Sequence, residues 1–176
     1  MAMRKYYILF IFILSSSILF AELPLGEVPP KILLEGDFGG RLDGTKWSSE
    51  ELVSGKITIL FYVDPDESDL NNHVSEALKA KKFPLDKYSS VAVINMAATW
   101  LPNFALNMKL KSKQENYKNT VYVKDLQKTL VNRWGLTDDS SDVMVFGKEG
   151  EVLYSVDGKF SDSQVVEIIN VVTENL

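Results

Sequence analysis

Between Ile57 and Val74 the chain reads ITILFYVDPDESDLNNHV, an apolar run that breaks into a cluster of acids before a helical pattern begins. Asp64, Asp66, Glu67 and Asp69 are hard oxygen donors and could hold a cation such as Ca2+. An EF-hand loop counted from Asp64 fails its own pattern, because Asp69 stands where glycine is needed and Ser75 where the bidentate glutamate belongs. A second chemistry is a carboxylate acid/base pair, with Asp66 and Asp69 three residues apart at a helix start. Two exposed acids near the positive end of a helix stay ionised, which suits a base better than an acid. The simplest expectation is structural: an N-cap at Asp69 with dipole-favoured acids around the first turn. His73, one turn further on, is expected as a surface helix residue, since no second histidine exists to share a metal or a proton relay with it.

The remaining composition removes whole classes of reaction. The 176 residues contain no cysteine and one histidine, so disulfide exchange, thiolate catalysis, thiolate metal sites and His-rich zinc sites are closed. No cofactor is expected. Arg4 and Lys5 precede an apolar stretch and three serines, the layout of a secretory signal peptide over residues 1–21 with cleavage after Ala21, although Leu19 is large for its position. The stretch from Tyr6 to Ala21 is short for a bilayer span, so no stable membrane anchoring is expected after cleavage, and the address is periplasmic. Cleavage removes two basic residues and no acid, leaving 155 residues with 17 basic and 24 acidic side chains, a net charge of −7. That balance argues against a nucleic-acid partner.

The elements that must position these groups follow from periodicity. Residues 22–31 read as an extended arm; the Gly-Gly and Asp-Gly pairs that follow Lys31 are turn and hairpin signals. Ser48 and Glu51 form a capping box. Ile57 to Val63 suits a strand buried on both faces. Leu70, Val74, Ala77 and Leu78 recur at helical spacing until Phe83-Pro84 stops them. Residues 90–95 are a second buried strand, 103–113 remain open between strand and helix, and 120–124 form a third strand. Asp125 is expected to cap a helix carrying Leu126, Leu130, Val131 and Trp134 and closed by Gly135. A hairpin turning at GKEG and a helix opened by Ser161 and Gln164 complete the chain. Alternating β and α elements with a late hairpin give one α/β domain over residues 22–176: a thioredoxin-like three-layer sandwich, with a mixed central sheet and helices on both faces.

Two stretches carry a family resemblance. KAKKFPLDKYSSVAVIN (79–95) and DSSDVMVFGKEGEVLYSVDG (139–158) resemble the YtfJ family of exported bacterial proteins, and the likeness runs from about Leu33 onward. The resemblance implies a thioredoxin-like fold and a periplasmic location, and it supplies no activity. Aligned with redox proteins of that fold, Asp66 and Asp69 fall near the two cysteine positions, and Ser141 or Asp142 falls where a cis-proline normally faces them. The expectation is therefore a non-catalytic binding module for an exported protein or peptide. Its surface would comprise Asp64, Asp66, Glu67, Asp69, Trp100, Ser141 and Asp142, on loops 64–69, 96–103 and 138–142. Trp100 is expected to pack in the core, with a recognition patch as the alternative. Trp47 and Trp134 are core by default. A carboxylate-dependent hydrolase and a folding helper for exported proteins are the competing functions.

Overall fold

The computed structural model describes residues 23–176, so the expected signal peptide lies outside the described residues. Eight strands and four α-helices run in the order β1 (Leu33–Leu34), β2 (Gly39–Arg41), β3 (Trp47–Ser48), β4 (Ile57–Val63), α1 (Asn72–Lys81), β5 (Tyr88–Asn95), α2 (Asn103–Asn116), β6 (Thr120–Asp125), α3 (Thr129–Trp134), β7 (Ser141–Phe146), β8 (Val152–Val156) and α4 (Asp162–Asn175). The main sheet has the order β2-β6-β5-β4-β7-β8. β4, β5 and β6 are parallel, while β7, β8 and β2 run antiparallel to their neighbours.

The seven-residue run at Ile57–Val63 forms β4, which lies between β5 and β7 in the sheet interior. Its alternate residues feed two cores. Ile57, Ile59 and Phe61 meet Val74 and Leu78 of α1, Leu106 and Leu110 of α2, and Ile168 and Val172 of α4. Leu60 and Tyr62 meet Leu130 and Trp134 of α3 and the N-terminal residues Ile32, Leu34, Trp47 and Leu52. Trp47 and Trp134 are buried core, as expected. Each fully buried large apolar side chain contributes about 1.5–3 kcal/mol relative to exposure, so both layers hold the sheet firmly.

The N-terminal arm lies along β8, with Gly26 N donating to Val152 O at 2.8 Å and Val152 N to Glu27 O at 2.9 Å. Both expected capping boxes form, at Ser48 with Glu51 and at Ser161 with Gln164. The open stretch 103–113 is helix α2. Its apolar residues alternate because Leu106 and Leu110 face inward while Phe104 and Met108 face solvent. Two stripes one helical turn long, offset by two residues, imitate a strand.

The expected hairpin after Lys31 is not one. The turn is present, with Arg41 N donating to Thr45 O at 2.8 Å. β2 instead pairs with β6 and β3 with β1, in separate sheets. Gly39 explains the choice: at φ 127° a Cβ would stand 1.9 Å from Lys124 O, so only glycine lets β2 approach β6.

Candidate functional site

The parallel strands end together, and so do the loops expected to form a surface. Asp64 N donates to Ser140 O at 3.0 Å, Thr99 Oγ1 to Asp66 Oδ1 at 3.1 Å, and Asn95 Nδ2 to Asp138 Oδ1 at 2.9 Å. Loops 64–69, 96–103 and 138–142 are thus tied to one another at the C-terminal ends of β4 and β5 and the start of β7. This is where α/β sheets bind ligands.

The seven expected surface residues divide sharply. Asp66, Glu67 and Asp69 are exposed. Trp100 is 86% exposed, which overturns its expected place in the core. It falls in the short turn between β5 and α2, and the sheet beneath is already covered by Leu106 and Leu110. Asp64, Ser141 and Asp142 are 4%, 2% and 2% exposed, so none of them belongs to the surface. Ser141 and Asp142 lie within β7 and pair with Val63 and Tyr62 of β4, which shuts them into the sheet.

The acids do not cap α1 as expected. Asp64 instead caps a 3-10 turn over Pro65–Glu67, accepting from Asp66 N at 2.8 Å, and α1 begins later, at Asn72, with no acid in its first turn. Proline at the start of the turn fixes its backbone there and pulls the acids away from the helix. Asp69 takes part from outside: its Oδ1 accepts from Asn72 Nδ2 at 2.8 Å and lies 3.6 Å from Lys113 Nζ. The Asn72 bond, then the Lys113 charge, hold its carboxyl below the usual range. Asp66 and Asp69 therefore serve different partners, one on the 96–103 loop and one on α1 and α2.

Behind this rim lies a polar layer. Asp125, at the end of β6, accepts from Leu130 N at 2.9 Å, Gln127 N at 3.2 Å and the Tyr62 hydroxyl at 3.3 Å. It supports α3 as expected, although the helix starts at Thr129 rather than beside it. Burial, then the Asp125 charge, pushes the Tyr62 hydroxyl far above its ordinary value. Lys128 Nζ meets Asp138 Oδ2 at 2.6 Å, and that bond holds the Asp138 carboxyl low. Burial raises the carboxyl of Asp64.

Asp142 is the outlier. Its Oδ1 accepts a long bond from Thr137 N at 3.4 Å, and its Oδ2 has no partner. Burial, reinforced by the Asp157 charge, pushes the carboxyl up to about 7. Every peptide bond among the described residues is trans.

Sequence reasoning missed Asn71. Its side chain donates to Gly158 O at 2.8 Å and Ser141 O at 3.4 Å and accepts from Phe160 N at 3.0 Å. His73 Nε2 adds a bond to Phe160 O at 3.0 Å, so it is half-buried and anchors α1 rather than standing free on the surface. These partners lie 70 to 89 residues away, and no local spacing announces them. Phe104 and Met108, 70% and 68% exposed, were also missed; their helical repeat was hidden by the inner stripe. No group of three or more His, Asp or Glu side chains among the described residues is placed to share a metal ion.

Comparison with known proteins agrees with this geometry. An exposed lipoprotein thioredoxin of Streptococcus pneumoniae superposes with a TM-score of 0.58 over 82% of this chain and 99% of that one, at 17% identity. A peroxidoxin of Mycobacterium tuberculosis gives 0.60 over 86% and 97%, at 16% identity. The fold is thioredoxin-like, built on a chain without a thiol. A Haemophilus influenzae protein described as uncharacterized is 31% identical over 130 residues, covering 72% of this chain and 70% of that one. Residues 38–175 match the family described as "Bacterial protein of unknown function (YtfJ_HI0045)", and the chain belongs to that family.

Proposed function

We propose that the protein is an exported, non-catalytic binding module that docks a protein or peptide segment at the C-terminal ends of β4 and β5. One observation carries this reading: Trp100 stands 86% exposed on a loop tied to the neighbouring acidic loop. Thr99 Oγ1 donates to Asp66 Oδ1 at 3.1 Å and accepts from Leu101 N at 3.2 Å, so the indole is presented on a short, pinned turn. A large aromatic side chain presented to water is a common anchor of a docking surface. Phe104 and Met108 extend the apolar surface along α2, and Asp66, Glu67 and Asp139 supply exposed acids near it. The partner segment is therefore apolar with basic side chains. The absence of cysteine fits binding without electron exchange, because the fold's redox chemistry needs a thiolate.

A photo-crosslinking residue at position 100 or 104 should capture the same partner in cells. At Val166, an exposed apolar residue on α4, it should not. Asp66→Lys with Glu67→Lys should abolish the capture. Equal capture from Val166, or capture unaffected by the charge reversal, would refute the reading.

A further inference from the structure

A concavity adjoins that surface, sharing Pro65, Ser68 and Asp69 of loop 64–69 with it. α1 contacts α4 and α2 contacts β6, and a groove of about 530 Å3 runs between α1 and α2, crossed by the Lys113–Asn72 and Tyr117–Glu76 hydrogen bonds. Phe61, Ala92, Ile94 and Tyr122, from the three adjacent parallel strands, make its floor, and Leu106 and Leu110 make one wall. Small-molecule sites occupy roughly 300–1,000 Å3 and pair an apolar lining with a few polar groups that fix orientation.

The rim is opposite in sign to the rest of the protein. The chain carries a net charge of −5. The groove is nevertheless lined by five lysines, Lys79, Lys82, Lys109, Lys113 and Lys118, and by one carboxylate, Asp69. Lys113 is already engaged with Asn72 and Asp69, and Lys79 Nζ lies 4.7 Å above the Tyr117 ring. The ammonium groups of Lys82 and Lys118 have no hydrogen-bond or ion-pair partner among the described residues. Both are exposed where α1 and α2 terminate, at the end of the groove nearest the starts of β5 and β6. An apolar trough closing on unpaired ammonium groups is complementary to an apolar body with a negative head.

We infer that this groove binds a single-chain amphiphile, its anionic head between Lys82 and Lys118 and its apolar body along the Phe61–Tyr122 floor. Trp100, Phe104 and Met108 do not line this groove, so the inference does not rest on the docking role given to them.

Calorimetric titration of laurate and of dodecyl phosphate, each below its micellar concentration, into the purified protein tests the site and separates a carboxylate head from a phosphate one. Saturable one-to-one binding of either anion is expected. Dodecyltrimethylammonium, with the same chain and the opposite head, should bind at least about tenfold more weakly. Lys82→Glu with Lys118→Glu should weaken the anion at least about tenfold with an unchanged melting temperature. Lys148→Glu with Lys159→Glu makes the same change in net charge away from the groove and should leave affinity within about twofold. Absence of saturable binding by both anions overturns the inference. So does equal affinity for the cation, or an equal effect of the two charge reversals.

Discussion

Replacing Asp142 by asparagine removes an ionisation while keeping the shape of the side chain and the bond from Thr137 N. In the folded protein the carboxyl rises from an ordinary 3.8 to about 7. The unfolded chain gives up this proton first as pH rises, so the folded state binds more protons between about pH 4 and pH 7. The carboxyl therefore costs nothing below about pH 4, lowers stability progressively up to about pH 7, and imposes a constant penalty above it. At about 1.4 kcal/mol for each tenfold change in proton affinity, the full penalty is roughly 4 kcal/mol; partial solvation and the coupling to Asp157 reduce the measurable figure to about 2–4 kcal/mol. Asp142→Asn should accordingly match the parent near pH 4 and exceed it by that amount at pH 8. Urea unfolding followed by tryptophan fluorescence at intervals across this range measures the difference directly, and titrating groups not coupled to Asp142 cancel because both proteins share them. A difference that does not change with pH would refute the reasoning.

Other outcomes follow from single contacts. Asn71→Ala strands Phe160 N and Gly158 O in a buried site and should cost about 2–4 kcal/mol in urea unfolding. Gly39→Ala drives a Cβ into Lys124 O and should separate β2 from β6, read as faster amide exchange at Gly40. Trp100→Ala should shift stability by less than about 0.5 kcal/mol in the same assay, because its ring lies in solvent. Millimolar Ca2+ should leave the melting temperature unchanged, since no three acids among the described residues are placed to share an ion; a rise of several degrees would show a cation site.

Local chemistry was legible in the sequence where a neighbour a few residues away completes it. β4 could be read because an interior strand must be apolar on both faces, and the two capping boxes because their partners are three residues apart. β2 could not be assigned, since its partner β6 lies more than eighty residues on and depends on the close approach that Gly39 permits. Trp100 was misjudged for a related reason: its residue type favours burial, and only the packing of Leu106 and Leu110 beneath α2 leaves it no room. Ser141 and Asp142 look like loop residues in sequence. Pairing with Tyr62 and Val63 makes them part of the sheet, and the raised carboxyl follows from that placement alone.

The strand of backbone that runs beside β8 also settles how the sheet meets other chains. Val152 offers its outward N–H and carbonyl to Glu27 and Gly26, and Leu23 N reaches the Ser155 hydroxyl at 3.2 Å. A bare strand margin templates aggregation. Here that margin is occupied from within, and β2, at the opposite side, spans three residues, two of them glycine. Proteolytic trimming beyond Glu27 would uncover β8 and leave a strand prone to pair with another chain.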